Sequence, residues 1–441
     1  MQYRDITIGQ LFSETVNRFP KRVVLRCLGN SITYSELDAI TDAKDMEFGD
    51  AQFIEISANS KHRTAEEMAE HIVTYLAAVK SGRIAVFGKL TDELRLAISE
   101  EETPDVKNEA VLFTSGTTGK PKAVLSNHYA RVNSAAAHVA ALGATERDRF
   151  LLAIPLSHCF SLTANLISAI TVGAMICIPD DRHTDNLLKC IERERCTIFN
   201  AVPTIFNSAV TRLETESYDV SSLRTGFIGG AAYTSDFFRK VNNDLSFSLI
   251  PGLGQTEGTA AYTFAPWTAP LNVRAETVGR VMDGIECKIS ERGEILIRGF
   301  CVAKVLNEHQ PDTGGWLHTG DCGFIDYDGY LHCTGRLKDV IIRGGENISP
   351  AEIEETAMNA FSQIRECAVF SVPDPHFGEE ICLCAAADET SLTAYELRDG
   401  LSKILVEFKV PKYIWIFGEL PKTEVGKIAV GELKEEIQKL L

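Results

Sequence analysis

One segment of the chain has the composition of an oxyanion-binding loop. The stretch Phe113–Val124 reads Phe-Thr-Ser-Gly-Thr-Thr-Gly-Lys-Pro-Lys-Ala-Val and lies between two apolar runs. Glycines let the backbone approach a phosphate, hydroxyls donate hydrogen bonds and lysines supply charge. The common P-loop pattern does not fit, because Gly116 and Gly119 are too close together and Pro121 follows Lys120. An ordinary turn is the alternative, and the length of the segment argues against it.

Two further segments carry groups suited to a nucleotide. Gly252–Gly258 sets Thr256 and Glu257 between glycines, where a hydroxyl and a carboxylate could bind phosphate and Mg²⁺ together. Gly315–Asp321 ends in an acid that could accept the hydroxyls of a ribose. Each has an ordinary alternative, a glycine-rich turn for the first and an Asx-turn for the second.

Two basic residues lie nearer the C-terminus. Arg336 is the second residue of the segment Gly335–Asn347 and lies shortly before the basic and acidic pair Lys338 and Asp339. Lys427 closes the glycine-containing segment Pro421–Lys427. A single lysine near the end of a chain is usually solvated surface, so Lys427 gains meaning only from the other segments.

The composition excludes several classes of function. The 441 residues are 45% hydrophobic and 24% charged, which is typical of a soluble globular protein of two to four units. A net charge of −17 argues against nucleic-acid binding and against docking on anionic membranes. The twelve cysteines show no metal-ligand spacing, and with no secretory leader they predict a cytoplasmic protein with free thiols. Nothing in the sequence indicates an oligomeric state.

Strands and helices that could position these segments alternate along the chain, as in parallel α/β layers. After Val278, short strands with glycine turns predict a β-rich subdomain, and a last unit with 19 acids and 11 bases begins near Gly335–Asp339. The predicted helices are Ile8–Phe19, Glu66–Lys80, one from about Thr163 and one around Asn186–Arg195, and the predicted strands include Val23–Cys27, Arg83–Phe87, Phe150–Ile154, Met175–Ile178 and Thr197–Asn200.

Taken together, the order and spacing of the motifs resemble the adenylate-forming superfamily of acyl-CoA and aryl-CoA ligases, free-standing adenylation domains and luciferases. The resemblance covers nearly the whole chain, most firmly Val111–Lys427. It implies an α/β fold with a large N-terminal domain, residues 1–337, made of two α/β sheets plus a distorted β-barrel subdomain. A small mobile α+β domain, residues 338–441, would follow as a lid.

The resemblance also implies the reaction and its cofactors. A carboxylic acid would attack the α-phosphate of ATP with Mg²⁺ to give acyl-AMP and pyrophosphate. A thiol, from coenzyme A or from the phosphopantetheine of a carrier protein, would then expel AMP. Lys427 would lie between the two anions, and Lys338 would be the hinge whose backbone rotation swings the small domain between the steps.

The remaining roles are implied in the same way. Thr256 would bind phosphate, Glu257 would hold Mg²⁺, and Asp321 would bind the ribose with Arg336 beside it. The other nucleotide contacts would be Thr114, Ser115, Gly116, Thr117, Thr118, Gly119, Lys122, Gly230, Ala231, Ala232, Gly254 and Gln255. The acid pocket would draw on His158, Val202, Ile228, Gly229, Gly252 and Leu253, with His158 also near the thiol path.

The chain departs from the family pattern at three positions. The family usually has glycine where Ala123 stands, an aromatic residue where Leu253 stands, and often proline at Ala232. The outer sheet within Thr41–Asp105 is also expected to be trimmed. These departures bear on nucleotide binding but remove no catalytic side chain.

The substrate is narrowed by what the gate segment Pro155–Ser161 lacks. Amino-acid-activating relatives carry an aspartate in this region, and none stands between Ala153 and Asn165. An unpaired ammonium in a dry pocket would cost several kcal/mol. A neutral aryl or aliphatic acid of modest size is therefore expected.

Three functions remain open at this point. The first is an acyl-CoA or aryl-CoA ligase, and the second is a stand-alone enzyme that loads a carrier protein. Acidic carriers would dock poorly on an acidic domain unless Lys403, Lys409 and Lys412 form a basic patch. The third is a non-catalytic homologue that binds nucleotide only, which the presence of Lys427, Glu257 and Asp321 argues against.

Overall fold

The fold is taken from a computed structural model, which describes residues 3–57, 64–101, 107–114, 121–308, 310–388, 391–422 and 428–441. Within these ranges the strands are β1 (Val23–Cys27), β2 (Asn30–Thr33), β3 (Phe53–Ile56), β4 (Ile84–Phe87), β5 (Asn108–Thr114), β6 (Lys122–Asn127), β7 (Arg149–Leu151), β8 (Met175–Ile178), β9 (Ile198–Phe199), β10 (Thr225–Ile228), β11 (Ser248–Gln255), β12 (Ala260–Phe264), β13 (Arg280–Val281), β14 (Ile285–Ile289), β15 (Glu294–Gly299), β16 (Lys304–Val305), β17 (Leu317–Ile325), β18 (Leu331–Arg336), β19 (Ile341–Arg343), β20 (Glu346–Ile348), β21 (Glu366–Asp374), β22 (Gly378–Ala386) and β23 (Tyr413–Phe417).

Helices connect these strands. They are α1 (Ile8–Arg18), α2 (Tyr34–Glu47), α3 (Ala65–Lys80), α4 (Asp92–Glu100), α5 (His128–Leu142), α6 (Cys159–Ser161), α7 (Ser168–Val172), α8 (Thr184–Glu194), α9 (Pro203–Leu213), α10 (Ser235–Asp244), α11 (Leu271–Glu276), α12 (Pro350–Ala360), α13 (Ala394–Ser402) and α14 (Val430–Leu440), with a π-helical stretch at Leu162–Ile167 and 3₁₀ turns at Thr256–Gly258, Leu337–Asp339 and Glu407–Lys409.

The largest sheet has nine strands in the order β13-β12-β11-β10-β9-β7-β8-β1-β2. The run from β11 to β1 is parallel, and antiparallel strands close both edges. Its central strands are buried on both faces; β10, for example, is buried at every position. This layout brings the carboxyl ends of β10 and β11 together at one edge of the sheet, where α/β proteins usually bind ligands.

A second sheet, ordered β16-β6-β5-β4-β3, lies across a layer of helices from the first. The largest buried hydrophobic cluster joins strands of both sheets through residues of α1, α3 and α5. Local sequence fixes these helices: Thr64 caps α3 in a capping box with Glu67, and Gly143 ends α5 in the left-handed conformation. The parallel α/β layers and the β-rich subdomain are thus present, the latter as the sheet β14-β15-β17-β18.

The last part of the chain forms a sheet and core of its own. Strands β20, β19, β22 and β21 pair in that order, and β23 adds to β22. Among the described residues, the buried clusters of this part begin at Ile341, whereas those of the preceding part end at Leu331. At the junction, the Ser349 hydroxyl before α12 donates to the Thr334 carbonyl of β18 at 2.6 Å.

Most predicted elements lie within two residues of their observed positions, but two differ. The helix predicted from about Thr163 begins at Cys159, because a π-helical stretch follows the short α6 and disguises the helical period. The strand predicted to reach Ile154 stops at Leu151, since the segment from there to the gate leaves the sheet.

All twelve cysteines lie among the described residues and none is in a disulfide. Cys333 on β18 is the one that is exposed. Across the same residues, no helix combines the length and the hydrophobicity that crossing a bilayer requires.

Candidate functional site

Glycines at the carboxyl ends of β10 and β11 allow two backbones to approach closely. A Cβ added to Gly229 would lie 2.7 Å from the carbonyl oxygen of Gly252, so no side chain fits there without a backbone shift. Gly230 has φ +82°, which favours glycine, and a Cβ added to it would lie 3.4 Å from Val202 Cγ1. The structure therefore brings Val202, Gly229 and Gly252 close together, and their role in an acid pocket stays a prediction. Ile228 is fully buried in the neighbouring hydrophobic cluster.

The segment after β10 leads into α10, whose first turn is capped by the side chain of Thr234. Ala231 and Ala232 lie in this connection, and Ala232 is exposed. The predicted adenine-binding backbone is thus a loop at the edge of the sheet, next to the glycines of β11. Leu253 lies in β11 opposite Thr263, and its N–H lies 3.3 Å from the Thr263 hydroxyl.

The Thr256–Gly258 turn follows β11 directly. The Thr256 hydroxyl donates to the sulfur of Cys159 at 3.5 Å, which places His158 beside this turn. His158 is exposed and not a packed core histidine. The backbone of Glu257 is held by the N–H of Ala303 at 2.8 Å. The side-chain nitrogen of Gln255 is buried and has no partner among the described residues, so it is available to a ligand.

Asp321 and Arg336 face each other on neighbouring strands. They are paired in register between β17 and β18, and Arg336 Nε lies 2.8 Å from Asp321 Oδ1. The second carboxylate oxygen, Oδ2, is buried without a partner among the described residues. A buried acceptor of this kind costs free energy unless a donor reaches it. The sugar hydroxyls of a nucleotide would supply such donors.

The charges around Asp321 connect it to the turn after β11. The pKa of Asp321 is raised to about 6: burial is the largest cause, the charge of Arg336 opposes it, and the negative charges of Glu257 and Glu294 add to the rise. Glu257 is therefore close enough for its charge to act on Asp321. The predicted metal ligand Glu257 therefore lies near the predicted ribose acceptor Asp321 and its partner Arg336, and the roles of the three stay predictions.

The strands that flank the predicted phosphate loop also meet. Thr114 at the end of β5 pairs in register with Lys122 at the start of β6. Lys122 Nζ lies 2.8 Å from Glu308 Oε2, a carboxylate that the sequence analysis did not single out. The two residues are 186 positions apart, so no local pattern could have predicted the pair.

Several predicted residues lie outside the described ranges. They are Ser115, Gly116, Thr117, Thr118 and Gly119 of the phosphate loop, and Lys427. Of the residues near Lys427, Lys422 and Ile428 pair through a β-bridge. The roles of these residues stay predictions.

The hinge residue Lys338 is exposed and lies in the 3₁₀ turn Leu337–Asp339, between β18 and the separate core of the last part. Its motion stays a prediction.

No group of three or more His, Cys, Asp or Glu side chains that could hold a metal ion occurs within the described part of the chain. Mg²⁺ usually binds through one or two carboxylates plus substrate phosphates. Glu257, next to Thr256 in the turn, could offer one such carboxylate, and that role stays a prediction.

The three lysines considered as a basic patch are all neutralised. Lys403 pairs with Asp399 at 2.6 Å, and Lys409 with Glu352 at 2.6 Å. Lys412 pairs with Asp374 at 2.7 Å, a contact that contributes to lowering the pKa of that carboxyl. The basic patch that would have favoured an acidic carrier protein is therefore not formed.

Comparison with known proteins gives evidence about the family of this chain that is independent of the site geometry. Residues 51–306 match the family described as AMP-binding enzyme, and residues 352–427 match the AMP-binding enzyme C-terminal domain. A putative acyl-CoA synthetase, YngI of Bacillus subtilis (strain 168), is 34% identical over 74% of this chain and 62% of its own length. The acyl-CoA ligase SID4 of Ajellomyces capsulatus is 33% identical over 73% and 60%. The chain thus spans about three fifths of the length of these relatives.

A solved structure shares the fold along the chain. The crystal structure of ATP-bound MatB from Rhodopseudomonas palustris superposes with a TM-score of 0.85 and 21% identity, covering 99% of this chain and 100% of that one. This match confirms the fold class predicted from the sequence.

Proposed function

Since the chain belongs to the AMP-binding enzyme family, as the adenylate-forming resemblance of its motifs predicted, we propose that it activates a carboxylic acid with ATP and transfers the acyl group to coenzyme A. The observation that carries the proposal is the proximity of Glu257, Asp321 and Arg336, which would line one cleft at the carboxyl edge of the large sheet.

The nucleotide would bind along that edge. The unpartnered Oδ2 of Asp321 would accept the ribose hydroxyls, with Arg336 holding the other oxygen of the carboxylate. The glycine-rich backbone from Gly230 to Ala232 would lie against the adenine. Thr114, Lys122 and Thr256 would contact phosphate oxygens, together with Ser115, Gly116, Thr117, Thr118 and Gly119 of the loop between β5 and β6.

Glu257 would hold Mg²⁺, and Gly254 and Gln255 would line the cleft beside it. When bound, the ion neutralises charge on the phosphates. The protein contributes the carboxylate, a neighbouring hydroxyl and a backbone already fixed by Ala303.

The reaction would run in two steps. In the first, a carboxylate oxygen of the acid forms a bond to the α-phosphorus while the bond to pyrophosphate breaks. Two anions must approach, and at about 4 Å their repulsion is roughly 4 kcal/mol at intermediate dielectric, which a lysine between them would cancel. We assign that role to Lys427. In the second, a thiol attacks the acyl carbon and AMP leaves.

Movement between the steps would involve the two parts of the chain, residues 1–337 and 338–441. Their separate hydrophobic cores support a boundary at this place. Lys338 would be the hinge, and the small part would act as a mobile lid that carries Lys427 into and out of the cleft.

The acid would enter beside His158, between Val202 and the glycines of β10 and β11. The gate has no aspartate to pair with an ammonium, and small or apolar groups dominate. A neutral aryl or aliphatic acid of modest size fits this pocket. The names of the relatives, acyl-CoA synthetase and acyl-CoA ligase, are in line with that class.

Coenzyme A is favoured over a carrier protein as the acceptor. The last part of the chain carries 19 acids against 11 bases, and three of its lysines are paired with carboxylates. An acidic carrier would be repelled there.

The test is a pyrophosphate-release screen over aryl, short-chain and medium-chain acids, followed by thioester detection. Acid-dependent release and then an acyl-CoA would support the proposal. A thioester that forms on a holo carrier protein but not on free coenzyme A would show that a carrier protein is the acceptor. Nucleotide binding without pyrophosphate release for any acid would show a non-catalytic nucleotide-binding homologue.

A further inference from the structure

A buried ion pair lies behind the Thr256–Glu257 turn. Arg131 of α5 and Glu109 of β5 are both 0% exposed, and Arg131 Nη2 lies 2.8 Å from Glu109 Oε1. The hydroxyls of Tyr75 and Ser126 also donate to this carboxylate, at 2.7 and 2.6 Å. Burial opposes the charged form, yet the Arg131 charge and these donors outweigh it and hold the pKa of Glu109 below its ordinary value. The pair is therefore ionised.

The guanidinium of Arg131 also reaches the end of the turn. Its Nη1 donates to the carbonyl oxygen of Thr259 at 2.9 Å and to the hydroxyl of Thr163 at 2.7 Å. That hydroxyl donates in turn to the same Thr259 carbonyl at 2.9 Å. Two side chains thus hold one backbone oxygen from inside the protein.

Thr259 needs this support because its backbone is strained. Its φ is +64°, in the left-handed region that a β-branched residue rarely adopts. Its N–H closes the turn onto the Thr256 carbonyl at 3.0 Å, and its hydroxyl donates to the Cys301 carbonyl. Glu257 lies between the two ends of this turn, so a rotation of the Thr259 peptide would move its carboxylate.

We propose that Arg131 and Glu109 are positioning residues, which fix the Thr256–Glu257 turn relative to strand β5 and so align the metal-binding carboxylate with the phosphates. Glu109 lies in β5, the strand that leads to Thr114. Arg131 pairs with Glu109 and donates to the Thr259 carbonyl, and so links β5 to the turn. A well-packed apolar pair would often give equal stability, but it would offer no donors to the Thr259 carbonyl. This inference rests on the proposed function.

The decisive variant removes both charges together. Glu109→Gln with Arg131→Met leaves no unpaired ion in the core, so folding should survive. The acid-dependent rate of pyrophosphate release should fall about 10²-fold, as misplacement of a catalytic group by about 1 Å does. The Mg²⁺ concentration for half-maximal rate should rise. Adenosine, which touches only the Asp321 side of the cleft, should bind as in the wild type.

A milder variant covers the case in which that protein does not fold. Thr163→Val removes one of the two donors to the Thr259 carbonyl and keeps the Arg131–Glu109 pair intact, so no buried charge loses its partner. It should lower the same rate about tenfold and shift the Mg²⁺ requirement in the same direction.

The matched control is Arg274→Met. Arg274 is another buried arginine that donates to a backbone carbonyl, that of Leu249 near the start of β11, away from the turn. The Arg274→Met protein should be less thermally stable than the wild type, and its Mg²⁺ requirement should be unchanged.

Hydrogen exchange gives a readout that does not depend on the acid. The backbone amides from Thr256 to Ala260 should exchange faster in the double variant and in Thr163→Val. Their exchange rates should be unchanged in Arg274→Met. The proposal is overturned if exchange in this segment is unchanged in the double variant, or if it is faster while pyrophosphate release keeps the wild-type rate. The same response in Arg274→Met would also overturn it.

Failure of the proposed function has a different signature. If wild-type protein releases no pyrophosphate with any acid, the ratio of affinities for MgATP and metal-free ATP replaces the rate. A ratio that falls in the double variant supports the positioning role, and a ratio that stays constant refutes it.

Discussion

At the residue scale, the cleft already contains a carboxylate where a phosphate is expected. Glu308 neutralises Lys122, which the proposed function assigns to phosphate binding. Both side chains are only about one-third exposed or less. Under the proposed function, the pair would open when Lys122 binds the nucleotide, and ATP would compete with a carboxylate of the protein itself.

Glu308→Gln should strengthen ATP binding. Partly exposed pairs contribute at most about 1 kcal/mol, so the KM for ATP should fall up to about fivefold. Glu286→Gln, which breaks an exposed pair with Arg298, is the control and should leave it unchanged. A higher KM for ATP in Glu308→Gln would show that the carboxylate helps the nucleotide instead of competing with it.

Asp321 should make adenosine binding depend on pH. Its pKa is raised to about 6, chiefly by burial, and the ribose hydroxyls donate to the ionised form. Affinity should therefore be constant above that pH and fall as the pH drops, by up to about tenfold per unit. Because the folded-state pKa lies above the ordinary one, ionisation of Asp321 also lowers folding stability as the pH rises to about 6.

Calorimetric titration with adenosine, which has no phosphate to titrate, measures this directly. Asp321→Asn should bind more weakly and without the pH dependence. A variant that keeps the wild-type profile would assign the titration to another group.

Lys427 should matter to one step only. Lys427→Ala should slow formation of acyl-AMP by at least about 10²-fold and spare thioester formation from preformed acyl-AMP. Lys439→Ala, in the last turn of α14, is the control. Equal damage to both steps would show that the assignment is wrong.

At the element scale, most of what surrounds the site could be predicted. The capping residues and apolar periods of α1 and α3, and the buried runs of β4 and β8, are local signals that the structure keeps. The glycine-rich segments predicted to contact the nucleotide also lie at strand ends, and their roles stay predictions.

The elements that escaped prediction depend on distant partners. Glu109 and Arg131 interrupt apolar runs, which is a visible signal, but only the folded chain brings them to Thr259. The early start at Cys159 was hidden by the π-helical stretch after α6. Local sequence patterns give little indication of contacts between distant residues or of irregular helices.

The 3₁₀ turn at Leu337–Asp339 should be where the last part of the chain rotates. Proline at position 338 would fix one torsion there and restrict Leu337 as well. Lys338→Pro should therefore slow one of the two steps by about 10²-fold and leave the other within a few fold. Lys338→Ala is the control. Rates that fall equally in both steps would indicate local damage and not a blocked hinge.

At the scale of the whole molecule, the described buried hydrophobic clusters fall into two sets, one on each side of the turn at Leu337–Asp339. The clusters on either side of residues 331–341 are separate within the described ranges, and the proposed nucleotide residues Asp321 and Arg336 lie on β17 and β18, which belong to the first part. Binding and catalysis should therefore separate when the chain is cut between the cores.

A fragment of residues 1–337 should fold and bind adenosine within about threefold of the full chain, because its core is complete without the rest. It should release no acid-dependent pyrophosphate, since Lys427 is absent. Circular dichroism and calorimetric titration are the measurements. An unfolded fragment would place the boundary elsewhere.

The single exposed thiol offers a way to watch the two parts move. Cys333 lies on β18, a few residues before the turn at Leu337–Asp339, and the other eleven cysteines are buried or partly buried. Protein atoms crowd its sulfur and raise the pKa of the thiol to about 11. Since the thiolate is the reactive form, a maleimide dye would couple there best in mildly alkaline buffer. Its emission would then report lid movement in real time, without any engineered cysteine.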